Sequence, residues 1–260
     1  MDIVVCVKRV PLTEEVDLVV DEQGKGIKKE QLAFVLNDWD NYAVEEAILL
    51  KEKHGGTVTA ITVGSEDDEE VLRRCLAMGA DRAIRIEADE VSGFDSLGIS
   101  KIISRVAKDL PFDLVFTGVQ ADDDNYGMVG MMVAQELGIN HGNMVTAVDI
   151  EDGGARITSE LEGGLSEVSF IGLPALLAIQ TGINEPRYVS ILGIRKAAKK
   201  ELKVMDLSDL GIPDEELTPR TIIEEVYLPP ETEGAQILMG DTDKIASDFL
   251  EILTKKGVME

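Results

Sequence analysis

Apolar positions along this chain follow two periods in turn, a short β-like one and a longer helical one. Ile3 to Val7, Val16 to Val20 and Leu32 to Leu36 are short runs that predict strands, set apart by Gly24 and Gly26. From Trp39 the spacing becomes helical. Ala43, Val44, Ala47 and Ile48 fall on one face, Glu45, Glu46, Lys51 and Glu52 lie away from it, and Gly55-Gly56 stops the element. Val58 to Val63 predicts a buried strand. Ser65 then reads as a helix cap followed by Glu66, Asp67, Asp68, Glu69 and Glu70, acids that suit the positive end of a helix dipole. In that helix Glu69 with Arg73 and Glu70 with Arg74 are expected i,i+4 pairs, Leu72, Cys75 and Leu76 form the apolar stripe, and Gly79 closes it.

Arg82 to Ile86 and Phe112 to Phe116 predict further strands, Leu97 to Ala107 and Gly127 to Leu137 further helices. Such alternation implies an α/β fold: a mostly parallel twisted sheet with helices on both faces, Rossmann-like. Met144 to Ile150, Ala155 to Leu161 and Leu165 to Ile171 follow, joined by Asp152-Gly153-Gly154 and Glu162-Gly163-Gly164, so this stretch reads as a β-hairpin region. Pro174 to Ile179 is a buried strand and Val189 to Lys200 a basic, helix-like segment. Beyond about Leu207 the periodicity fades into Pro213, Pro219, Pro229-Pro230 and the acids Asp214, Glu215, Glu216, Glu224, Glu225, Glu231 and Glu233. The expected organisation is therefore a domain over 1–206 and an extended C-terminal arm over 207–260, whose amphipathic stretch Ile245 to Leu253 docks on its own domain or on a partner chain.

The 260 residues suffice for a sizeable core, and 44% hydrophobic with 29% charged residues is ordinary globular composition. Lys and Arg number 25 against 50 Asp and Glu, giving a net charge of −25. A field of that sign repels phosphate backbones and anionic lipid, which argues against nucleic acid and membrane surfaces as partners. The longest apolar stretch, Phe170 to Ile179, is about ten residues, half of what a membrane helix needs. The start, Met1-Asp2-Ile3, does not resemble a secretion signal. Cys6 and Cys75 stand in an expected strand and an expected helix, so reduced thiols and a cytoplasmic or organelle-matrix protein are expected. With only His54 and His141 beside them, no zinc spacing exists.

Neither a phosphate-loop lysine motif nor a strand-following Gly-x-Gly-x-x-Gly occurs. The longest polar strand-to-helix loop is Gly118-Val119-Gln120-Ala121-Asp122-Asp123-Asp124-Asn125-Tyr126-Gly127, and in open α/β sheets such loops meet the ligand. Free amides of Gly127 to Gly130 at the next helix start suit a phosphate. Three carboxylates repel one, so at most one or two point inward, and a solvated acidic loop is the alternative. At another strand-to-helix junction, Asn37-Asp38-Trp39-Asp40, Asn37 or Asp38 serves as a cap. Trp39, the single tryptophan, is either core or a stacking platform. Met78, Met131 and Met132 read as core filler. No nucleophile elbow and no base-nucleophile set is present, which fits a protein that positions a cofactor or partner.

Three segments together resemble the small, β subunit of an electron-transfer flavoprotein: Val4-Val5-Cys6-Val7-Lys8-Arg9-Val10, Leu76-Ala77-Met78-Gly79-Ala80-Asp81-Arg82 and Asn184-Glu185-Pro186-Arg187-Tyr188. The last is preceded by Glu160 to Gly164 and Pro174-Ala175 and followed by Ile194 through Ala198-Lys199-Lys200, and the resemblance spans essentially the whole chain. Asn37 to Asp40 and Gly118-Val119-Gln120 resemble the subtype that serves trimethylamine dehydrogenase. The resemblance implies an electron carrier that catalyses no bond change alone. In this heterodimer an α subunit holds the redox FAD, the β subunit binds a structural AMP, and a flavin-containing dehydrogenase of acyl-CoA or trimethylamine type donates electrons. It implies cofactor contacts at Cys6, Asn37, Asp38, Trp39, Asp40, Val63, Gly118, Gln120, Asp123, Asp124, Gly127, Met128, Val129 and Gly130. Trp39 falls where the family puts an aromatic near the flavin. It implies dehydrogenase docking at Ile183, Asn184, Glu185, Pro186, Arg187 and Tyr188, with Ile183 as an exposed aliphatic anchor.

This chain departs from the family pattern where Asp122 replaces an apolar residue and Met128 and Val129 replace polar ones, which leaves phosphate binding to backbone amides. Electron-bifurcating relatives, which place a second FAD in the AMP site and use NADH, are the alternative. A free-standing ATP-binding or hydrolase-like α/β protein is a third reading, and it leaves the arm unexplained.

Overall fold

The computed structural model describes residues 1–14, 16–30, 32–88, 93–230 and 234–259; of the arm's acids, Glu231 and Glu233 lie outside them. In chain order the main elements are β1 (Asp2–Cys6), β2 (Arg9–Pro11), β3 (Phe34–Leu36), α1 (Asp38–His54), β4 (Thr57–Gly64), α2 (Glu69–Met78), β5 (Arg82–Glu87), α3 (Ser96–Ala107), β6 (Leu114–Gly118), α4 (Val129–Leu137), β7 (Asn140–Glu151), β8 (Gly154–Leu161), β9 (Leu165–Gly172), β10 (Ala175–Ile179), α5 (Ile191–Ala197), β11 (Leu202–Asp206), α6 (Asp214–Leu217) and α7 (Thr242–Lys255). Nine strands form one sheet in the order β11-β5-β4-β1-β6-β10-β7-β8-β9, parallel from β11 through β7 and antiparallel from β7 to β9. The fold is α/β and Rossmann-like.

Alternation in the central strands decides which residues meet which helices. Ile3, Val5 and Val7 belong to a cluster with Val44 and Ile48 of α1 and Leu72 and Leu76 of α2, whereas Val4 and Cys6 join Ile102 and Val106 of α3 and Val133 and Ala134 of α4. Both faces of β1 are thus apolar, as strands buried on both sides require. Each such buried aliphatic side chain contributes about 1.5–3 kcal/mol. Met78 sits in the first cluster and Met131 packs against the second.

The chain leaves β1, passes through β4 and β5 on one side, then returns to β6 on the other. The carboxyl ends of β1 and β6 therefore form a topological switch point, where open α/β sheets accept ligands.

Several expectations shift. Residues 16–20 form no strand; only Val20 bridges to Ile27, and Val16 and Val19 are exposed with no core to cover them. β11 is a strand that the sequence pattern does not reveal, because Lys203 and Val204 are exposed and alternation is lost. The expected i,i+4 pairs of α2 are replaced by longer-range partners: Glu69 binds Arg85, Glu70 approaches Arg9, and Arg73 donates to the carbonyls of Ala197 and Lys200. β7 begins at Asn140, pairs with β10 first and β8 later, and turns at Met144, which has φ 54°.

Compact units divide the chain at Met1–Glu225 and Val226–Glu260. Residues 207–225, including α6, thus belong to the first unit. In the second, α7 is capped by Asp241, whose side chain accepts the Lys244 N–H, and carries exposed Phe249 and Leu250. Among the described residues no helix is long and apolar enough to cross a membrane.

Candidate functional site

The exits of β1 and β6 and the first turn of α1 are tied by one carboxylate. Asp40, 6% exposed, accepts the Lys8 N–H on Oδ2 at 2.8 Å and the Gly118 N–H on Oδ1 at 2.9 Å. Burial pushes its carboxyl up to about 7, against the pull of those two N–H groups. The approach is close enough to demand glycine at 118, since a Cβ there would stand 2.5 Å from the Trp39 Cβ and 2.6 Å from Asp40 Oδ1.

Asn37, just before α1, is buried and spends its side chain on the neighbouring loop. Its Nδ2 donates to the Gln120 carbonyl at 2.9 Å and its Oδ1 accepts the Asp122 N–H at 3.0 Å. It stands at the cap position yet makes no side-chain capping bond to the helix. Asp38 lies beside Asp122 with its N–H 3.4 Å from a carboxylate oxygen. The other two carboxylates of the loop turn to Lys8, whose Nζ meets Asp123 Oδ1 at 2.6 Å and Asp124 Oδ2 at 2.9 Å. Desolvation lowers the Lys8 ammonium, but the two carboxylates together outweigh it and raise it.

Trp39 is neither core nor free platform: it is half-buried, and its indole N–H donates to Gln180 Oε1 at 2.8 Å. Gln180 in turn donates from Nε2 to Glu160 Oε2 at 3.0 Å. Cys6 is buried and its thiol is pushed up to about 12 by burial and the nearby Asp40, so it can offer a ligand only its backbone. Val63 is half-buried at the end of β4. Across the loop, Gly127 has φ 60° and Gly130 is buried against Thr117, whose Oγ1 is buried without a partner and would stand 2.5 Å from a Cβ at 130. Met128 is exposed and Val129 half-buried at the start of α4.

The sequence-predicted residues from 37 to 40, 118, 120, 123, 124 and 127 to 130 thus converge. Lys8, Thr117 and Gln180 are added by the structure. Of these only Lys8, a cation at a strand exit in an acidic chain, carried a signal that could have marked it. A separate cavity of about 420 Å³, lined in part by Met131, Gln135, Asn140, His141 and Phe170, opens at the amino end of β7. No group of three or more His, Cys, Asp or Glu suited to a metal occurs among the described residues.

The segment 183–188 behaves differently from the expectation. Ile183 is not exposed: it is partly buried against the core cluster containing α1 and α2. Asn184 donates to the Tyr42 carbonyl and Glu46, and Arg187 forks onto Glu45 at 2.9 Å and Glu52 at 2.8 Å. Glu185 is exposed, Pro186 half-buried and Tyr188 93% exposed. Beside them Ile191 and Leu192 in the first turn of α5 are 73% and 61% exposed.

A parallel sheet with a polar crevice at its switch point places the protein among Rossmann-like α/β proteins. Residues 25–210 match the electron transfer flavoprotein domain. The chain is 39% identical over 258 residues to the electron transfer flavoprotein subunit beta of Bacillus subtilis (strain 168), with 99% of each chain covered. It is 34% identical to the corresponding subunit of Methylophilus methylotrophus, covering 98% of each, and 32% identical to the caffeyl-CoA reductase-Etf complex subunit CarD of Acetobacterium woodii over the full length of both. The chain belongs to the electron transfer flavoprotein family, on its beta-subunit side, and its role is electron transfer.

Proposed function

We propose that this chain binds AMP at the carboxyl ends of β1 and β6 and pairs with an α subunit that holds most of an FAD. The heterodimer takes electrons from a flavin-containing dehydrogenase and passes them to a downstream acceptor. The observation that carries this reading is the loop 118–130, drawn over the switch point by Asn37, Asp40 and Lys8. Val129, Gly130 and Met131 head α4, where N–H groups lack intrahelical acceptors, and Met128 supplies no side-chain cap. A phosphate fits there on backbone amides. Of the two charges that would oppose it, on Asp123 and Asp124, Lys8 offsets one and draws both side chains to itself.

FAD, bound by the complex, supplies the reversible redox chemistry. This chain's part is to hold groups still around it: Gln180 fixes the Trp39 ring through its indole N–H, a support for a flavin-edge contact. For the dehydrogenase we assign the face formed by Tyr188, Ile191 and Leu192, next to the Asn184–Arg187 segment braced on α1. Small apolar centres of this kind suit transient partners.

A second reading places another FAD in the AMP position. The apolar Met128 and Val129 and the full-length similarity to CarD favour it. Co-expression with the α partner, acid release and quantification of nucleotides per heterodimer tests both. One FAD with one AMP supports the first reading, two FADs the second, and neither nucleotide overturns both.

A further inference from the structure

We propose that Asp40 is the positioning residue of the crevice between β1 and β6, its carboxylate setting the spacing of the two strand exits and of the loop that follows β6. The functional side of this inference rests on the nucleotide reading above. Its two oxygens each accept one backbone N–H, from Lys8 and from Gly118, residues 110 positions apart and on adjacent strand exits. Both donors are main chain, so what the carboxylate fixes is backbone position. Gly118 leads directly into Gln120 and Asp122, which Asn37 clamps from the same turn as Asp40. One helix start therefore controls both strand exits and the loop.

A neutral carboxyl cannot do this equally well. Protonation turns one oxygen into an O–H donor and weakens it as an acceptor for the N–H already aimed at it. The titratable groups facing Asp40 are the Cys6 thiol from β1, the Cys75 thiol from α2 and Lys8 beyond β1. β4, β6 and β10, which also pack on α1, carry no ionisable side chain. Both thiols are pushed up to about 12 and Lys8 is raised, so near neutrality the proton moves only on Asp40, whose own value is about 7.

Two measurements on the full chain test this. Backbone amide NMR from about pH 5.5 to about pH 8.5 should move the Lys8 and Gly118 N–H signals together with one midpoint, a step that disappears in Asp40→Asn. In the complex with the α partner, AMP affinity of the wild type should exceed that of Asp40→Asn by roughly tenfold at the upper pH and approach it at the lower. Taking the ratio cancels the titration of the phosphate itself. Amide signals that stay flat or titrate independently, or a ratio unchanged with pH, would overturn the proposal. If Asp40→Asn does not fold, the wild-type amide titration decides. Amides that titrate together in a protein that binds no AMP at any pH would support the positioning role and overturn the nucleotide reading instead.

Discussion

Lys8 reaches across from the exit of β1 to hold Asp123 and Asp124, at 2.6 and 2.9 Å, with one ammonium. Both partners are roughly a third exposed and Lys8 more so, and solvent screening leaves such pairs at about 0–1 kcal/mol each. Their value is geometric and electrostatic. Lys8→Met should barely change thermal stability yet lower AMP affinity about tenfold, because the freed carboxylates repel the phosphate. Raising ionic strength should recover part of that loss by screening. Calorimetric titration of AMP at low and high salt checks it; a variant with unchanged affinity would show that the loop does not face the phosphate.

Arg187 binds two carboxylates of α1, Glu45 and Glu52. Glu45 is nearly buried at 4% side-chain exposure and is held bidentately, while Glu52 lies further out and is lowered by the same guanidinium. Lysine cannot reproduce the fork. Arg187→Lys should cost about 2–4 kcal/mol, since it leaves Glu45 poorly paired, and should loosen residues 183–190. Urea denaturation and hydrogen exchange over that segment measure the two effects, and no change in exchange would mean that Ile183, Asn184 and the Arg187 main-chain N–H on Glu45 hold the segment without the guanidinium.

What was legible in the sequence follows from how local the forces are. Central strands buried on both faces read directly, as Ile3–Val7, Val58–Val63 and Pro174–Ile179 do, because helices on either side leave them almost wholly apolar or β-branched. The converging loops were legible as strand-to-helix junctions. Illegible were contacts decided in three dimensions. Arg85 outcompetes Arg73 for Glu69, Asn37 bonds the loop instead of capping its own helix, and β11 pairs beside β5 with little apolar signal. Lys8 and Gln180 act on residues more than a hundred positions away, a relation that no spacing rule contains.

Ile183 and Ile191 separate packing from docking. Ile183 is partly buried against the core, so Ile183→Ala should lower stability by about 1–3 kcal/mol. Ile191 is 73% exposed, and Ile191→Ala should leave stability within about 0.5 kcal/mol. Electron transfer from the dehydrogenase at subsaturating partner should slow for Ile191→Ala far more than for Ile183→Ala. The reverse order would return the docking role to Ile183.

Asp40 gives the first unit a pH dependence whose sign runs against the ordinary carboxylate. Its folded value is about 7, above the usual 3.8, because burial disfavours the charge. Below about 3.8 both folded and unfolded chains hold the proton and Asp40 contributes no difference. Between there and about 7 the folded chain keeps a proton that the unfolded chain has released, so stability falls as pH rises, by up to ~1.4 kcal/mol per unit. Above about 7 the whole penalty is present. Asp2 and Asp95, both lowered, act in the opposite direction but are common to any Asp40 variant. The stability of Asp40→Asn relative to wild type should therefore climb from about pH 5 to about pH 7.5 and then level off. Urea unfolding of the two proteins across that range measures the difference, and a constant offset would mean that Asp40 titrates like an exposed carboxylate and that its two backbone bonds persist unchanged through neutrality.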